Sequence, residues 1–150
     1  MRSLLYDFRI YEEIMKHYSE NNKLTFSMAY FYSDNFMLPL SHDEVVHGKG
    51  TIINKMWGNY DQKFALIRNL YTYQYAHPGK KLNFMGNEIA SFDEWNEAKG
   101  LPWSIKTYPK HNSISHWLHD LNEIYKIYKP MFFEEHNPAH FRWLMVDNKD

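Results

Sequence analysis

Apolar positions recur along this chain in two rhythms, one suited to helices and one to short buried strands. Residues 8–20 place Ile10, Ile14 and His17/Tyr18 near helical spacing in a polar background, which predicts an amphipathic helix closed by the turn Asn21-Asn22. The strongest helical signal lies over 61–76, where Phe64, Ile67, Leu70/Tyr71 and Tyr75 fall at spacings of three and four before His77-Pro78-Gly79 stops the pattern. A further helix is predicted over 113–129, with Ile114, Trp117, Leu118, Leu121, Ile124, Tyr125 and Tyr128 on one side and Pro130 as terminator. Two short runs show little alternation, Phe36–Leu40 and Lys81–Met85. Such runs suit strands of a parallel sheet covered on both faces. Pro39 cannot donate to a ladder, so it belongs near its strand's end. Phe141–Val146 predicts another strand, running into the turn Asp147-Asn148. Residues 24–33 are aromatic-rich, and pattern alone does not separate a buried strand from a short helix there. Asn87 to about His111 reads as a long polar-aromatic loop.

Strand, helix and strand in that order over 36–85 make a βαβ unit, and therefore a parallel pair with the helix as crossover. The predicted class is α/β. The first strand runs straight into Ser41-His42-Asp43-Glu44. The C-terminal ends of parallel strands are where α/β barrels carry their active sites, so this cluster is the leading candidate for chemistry.

Three chemistries compete for it. The string His42-Asp43-Glu44-Val45-Val46-His47 superficially resembles a zinc-protease motif. Its histidines are five apart, whereas ligands sharing a helix face need a spacing of four, which disfavours zinc. Ser41, His42 and Asp43 are consecutive, and neighbours on a strand point to opposite faces, which disfavours a hydrolytic triad. The third is carboxylate glycoside chemistry. Retaining enzymes of this kind pair a nucleophile with an acid about 5–5.5 Å apart, and further acids and a histidine hold sugar hydroxyls and stabilise charge at the anomeric carbon. An Asp-His pair at a strand end fits that supporting role. A hydrogen-bonded turn anchoring the strand end fits the residues equally well.

Composition trims the options. Lys plus Arg number 17 and Asp plus Glu 18 in 150 residues, and without a basic stripe a nucleic-acid partner is disfavoured. With Cys absent, disulfides, thiolate metal sites and thiol catalysis are excluded. The apolar run in Met1–Asp7 ends at an acid after only a few residues, too soon for a secretory signal, and no apolar run nears the roughly 20 residues of a membrane span. Aromatic residues reach 18%; such rings can form flat platforms that stack on sugars, but a Tyr/Phe-rich core accounts for most of them.

The stretch NFMLPLSHDEVVHGKGTI, with KKLNFMGNEIASFDEWN and LPW downstream, resembles the glycogen branching enzymes of the α-amylase superfamily from about Lys23 to Asp147. Its most specific part is LSHDEVVHGK, residues 40–49, which is similar to the family's fourth conserved region at the end of the seventh barrel strand. The resemblance implies a partial (β/α)8 TIM barrel over 1–132, made of its last strands and helices, with 78–88 as the eighth strand and its exit. Residues 133–150 would open an all-β C-terminal domain. By the same resemblance Asp43 matches the third catalytic carboxylate, which stabilises the transition state, and His42 a histidine that hydrogen-bonds the sugar at the cleavage point. Glu44, His47 and Lys49 match the signature and would shape the loop or meet the acceptor glucan. Glu88, Trp95 and Trp103 are weaker candidates for lining the glucan groove. The implied activity is retaining transfer of an α-1,4 glucan segment to a 6-hydroxyl, forming an α-1,6 branch. It implies an α-glucan partner, a cytoplasmic setting, and neither cofactor nor metal nor membrane. The family's nucleophilic Asp and acid/base Glu would precede this segment, so the chain reads as a fragment without activity of its own. A non-catalytic glucan-binding module, an inactive truncated product and another hydrolase of the superfamily are the alternatives.

Overall fold

The computed structural model of the chain describes residues 25–29, 31–33 and 37–144. The helix expected over 8–20 lies outside them. Strand β1 (Met37–Leu40) is followed by helix α1 (Tyr60–Ala76), strand β2 (Lys80–Asn83) and helix α2 (Pro109–Ile127). β1 and β2 pair in parallel, with Leu38 opposite Lys81 and Leu40 opposite Asn83. The βαβ unit predicted from the pattern is therefore present. Residues 24–33, undecided by pattern, contain short 3-10 turns at Phe26–Ala29 and Phe31–Ser33.

Helix α1 begins with a reciprocal cap: Gln62 N donates to Asn59 Oδ1 (3.0 Å) and Asn59 N to Gln62 Oε1 (2.9 Å). This satisfies two of the donors that a helix start leaves free. The helix ends because His77, with Pro78 after it, is extended at φ −73°, ψ 139°. Its stripe of Phe64, Ile67, Leu70 and Tyr71 is wholly buried, as are Leu40, Ile52, Ile53 and Ile114. Burying one such side chain contributes about 1.5–3 kcal/mol, so this cluster holds the strands, α1 and α2 together. Helix α2 closes one side with Ile114, Leu118 and Leu121. It starts at Pro109, ahead of the predicted Ser113, because proline at the first helical position has a preset φ and lacks an N–H that would be unpaired there anyway.

Two polar details fix the sheet. Leu40 O accepts from Phe84 N (2.9 Å), so the carbonyls of Leu38 and Leu40 face β2, and Pro39 points its missing donor the other way. This is how a proline is tolerated inside β1. Gln74, fully buried in the apolar stripe of α1, donates through Nε2 to Leu38 O (2.9 Å) on β1 and Leu82 O (3.2 Å) on β2.

Residues 141–144 are not a strand. A strand needs a neighbouring backbone to pair with, and here Phe141 instead sets its ring against Trp143 (5.1 Å) and near His77 (6.1 Å). Met145 and Val146, the rest of the expected strand, lie outside the described residues.

Candidate active site

The chain leaves β1 through a 3-10 turn over His42–Glu44, closed by Glu44 N to Ser41 O (3.2 Å) and Val45 N to His42 O (3.0 Å). The turn, rather than a continued strand, sets two neighbouring side chains side by side. His42 Nε2 lies 3.2 Å from Asp43 Oδ1, and both are exposed, at 58% and 70%. Charged and hydrogen-bonding groups are thus offered to solvent at the carboxyl end of a parallel strand.

The floor beside them comes from the exit of β2. The Phe84 N to Leu40 O bond extends the ladder past the strand, and Asn87 Nδ2 adds a second donor to the same carbonyl (3.3 Å). Asn87 is itself held by Tyr71, whose hydroxyl donates to Asn87 O (2.8 Å). Burial, then the nearby Glu88, push the Tyr71 hydroxyl far above its ordinary pKa, so it remains a donor. The Phe84 ring lies 5.9 Å from that of His42, and Trp95 packs edge-on to Phe84 at 5.3 Å.

The loop 45–50 forms the other wall. Val45 and Val46 are buried and tether it to the core, while His47, Gly48 and Lys49 are exposed. His47, Gly48 and Gly50 have φ of 58°, 76° and 73°, a region costly for any residue but glycine. Lys49 Nζ donates to Asp43 O (2.7 Å). Lys55 Nζ donates to Gly50 O (2.8 Å) and to Glu44 O. Across the loop, Glu94 accepts from Gly48 N (3.0 Å) and Gly50 N (2.5 Å), and Trp95 N donates to Val45 O (3.2 Å). The bonds from Gly48 and then Gly50 hold the Glu94 carboxyl below the usual carboxylate range.

His42, Asp43, Glu44, His47, Lys49 and Trp95 thus sit together, although the Lys49 ammonium meets the loop's own backbone. Glu88 lies elsewhere: it lines a cavity of about 500 Å³ with Gln74, Lys81, Asn83 and Tyr125, between β2 and the two helices. Trp95 lines a separate cavity of about 370 Å³ with Asp93, Glu94 and Lys99. Trp103 stands 54% exposed in the 3-10 turn Trp103–Thr107. Sequence reasoning missed Phe84, which lay unremarked in a strand, and Glu94, one acid in an apparently irregular loop. Among the described residues no group of three His, Cys, Asp or Glu is placed to hold a metal, and no helix is long and apolar enough to cross a membrane.

No family model matches the chain. Among curated proteins it is 48% identical over 130 residues to the 1,4-alpha-glucan branching enzyme GlgB of Bacillus caldolyticus, 87% of this chain and 20% of that protein. It is 47% identical over 130 residues to GlgB of Geobacillus stearothermophilus, with the same coverage. With GlgB of Bacillus cereus it shares 46% over 138 residues, 92% of this chain and 21% of the relative. The chain is therefore a homologue of the bacterial 1,4-alpha-glucan branching enzymes GlgB, and spans about one fifth of their length.

Proposed function

We propose that this chain is part of a 1,4-α-glucan branching enzyme and supplies the wall of its active site that bears Asp43. One observation carries the reading: an exposed His42–Asp43 pair (3.2 Å) stands at the carboxyl end of a parallel strand, inside a segment 46–48% identical to the GlgB enzymes. In this reading β1 and β2 are the seventh and eighth strands of a (β/α)8 barrel, and residues from 133 onward open a β-domain.

The reaction breaks the C1–O4 bond of an α-1,4 glucan. A nucleophilic carboxylate forms a bond to C1 while an acid protonates the departing O4; both groups precede this segment in the parent protein. The 6-hydroxyl of an acceptor chain then attacks C1, gives its proton to the same acid/base residue, and displaces the carboxylate, so configuration is retained. Positive charge builds on C1 and the ring oxygen in both steps. Asp43, as an anion facing that charge, lowers both barriers, because a fixed charge stabilises what develops in the transition state at little reorganisation cost. His42 donates to a hydroxyl of the same sugar, and the Phe84 and Trp95 rings offer it an apolar face. The chain's partner is an α-glucan and its setting the cytoplasm.

In the full-length enzyme, Asp43→Asn keeps the shape and removes the charge. Branching of amylose, followed by the iodine-stain change, is expected to fall by about 10²–10³-fold. The 150-residue chain by itself is expected to leave the stain unchanged. Full activity in the variant would sink the role of Asp43, and loss of stain with the isolated chain would sink the division of catalytic groups.

A further inference from the structure

We propose that Glu94 is a positioning residue for this site: by bridging the Gly48 and Gly50 amides it fixes the loop 45–50, and through Lys49 the backbone that carries Asp43. The inference rests on the branching reading above for its activity test, but its geometry stands independently of it.

Each Glu94 oxygen is taken by a backbone donor, Oε2 by Gly48 N at 3.0 Å and Oε1 by Gly50 N at 2.5 Å. A carboxylate so engaged is an acceptor and not a proton shuttle, which separates it from an acid or base role. The loop it grips holds three residues at positive φ within four positions, including the non-glycine His47. A Cβ added at Gly48 would meet open space, so glycine is needed there for its conformation and not for room. Such a loop has other accessible shapes, and something outside it must select one. Glu94 grips its amides, while the Lys55 ammonium grips carbonyls at Glu44 and Gly50 on the other side.

Coupling to the reacting centre runs through two short paths. Lys49, between the gripped glycines, donates to Asp43 O at 2.7 Å. Trp95, next to Glu94, ties its amide to Val45 O at 3.2 Å and packs its ring on Phe84, which neighbours His42. One dipeptide, Glu94-Trp95, therefore braces the loop and the floor together. Loosening it displaces Asp43 relative to groups on other strands, and His47 relative to an incoming acceptor chain.

The test uses the full-length enzyme with Glu94→Gln, Glu94→Asp and Glu94→Ala. Glu94→Gln is isosteric but leaves one amide facing an NH₂, so the branching rate is expected to fall on the order of tenfold. The share of cleavage ending in hydrolysis is expected to rise, since a displaced loop holds acceptor less well than donor. Glu94→Asp, which restores the charge, should recover part of the transfer. Wild-type rate and partition in both Glu94→Gln and Glu94→Ala would overturn the proposal. Amide hydrogen exchange of the unmodified enzyme gives a second arm independent of variant folding: Gly48 and Gly50 should be protected, and free exchange at both overturns the clamp. An unmodified enzyme that fails to branch amylose would instead refute the functional reading, with the exchange arm still deciding on Glu94.

Discussion

Single residues divide into those that announce themselves and those visible only through their partners. His42 and Asp43 are adjacent polar groups straight after an apolar run, so their place at a strand end was readable from the sequence. Glu94 was not, because its meaning lies in two amides more than 40 positions away. His77 is another case. It looked like part of a helix stop, yet it is buried, donates through Nδ1 to Pro78 O (2.8 Å), accepts at Nε2 from Ser27 Oγ (2.8 Å), and lies among Phe31, Tyr73 and Phe141. Burial, with help from the Lys81 charge, pushes its pKa down to about 4 against the bond to Pro78. The folded state therefore keeps His77 neutral while the unfolded chain takes a proton below about 6.5. Stability is full above that pH and drains as pH falls towards 4, by about 3 kcal/mol in all. Urea unfolding of a protein containing this segment, at pH 7 and pH 4.5, should show the loss, and His77→Leu should flatten it.

Among elements, α1 was the most legible and the stretch after 140 the least. The stripe of α1 repeats over four turns, and its ends carry an Asn cap and a Pro-Gly stop, so period and punctuation agree. Gln74 breaks that stripe, and its reason appears only in three dimensions, where its amide spans both strands. Residues 141–144 have strand-forming composition but find other rings, not a paired backbone. Composition measures willingness to pair and cannot supply the partner. The cap at Asn59 gives an element-scale prediction: Asn59→Ala should lower stability by about 1 kcal/mol, read by urea unfolding, without altering the proposed branching activity of the longer protein. No change in stability would mean that tertiary packing, not the cap, holds the start of α1.

At the scale of the molecule, two strands present more edge than they hide. Among the described residues β1 and β2 pair only with each other, so each leaves one side of its backbone open. Trp57, Ile127, Tyr128 and Leu144 are 59%, 71%, 58% and 90% exposed. Open edges beside exposed apolar groups are templates for self-association. The 150-residue chain by itself should run as oligomers or aggregate in light scattering, whereas the longer protein should not. A monomer with a sharp thermal transition would count against this. The parallel pair and the two helices were legible in the sequence, because hydrophobic rhythm is local; what surrounds them was reached only through resemblance.

The rung from Phe84 N to Leu40 O lies at the seam between sheet and site, with His42 two residues further on. Slipping β2 by one position would turn Phe84 to the opposite face and carry Trp95's packing partner away from His42. The site thus acts as a gauge of its own assembly: a sheet formed out of step cannot set the Phe84 ring beside the exposed His42–Asp43 pair, so a misassembled copy loses the arrangement together with the register.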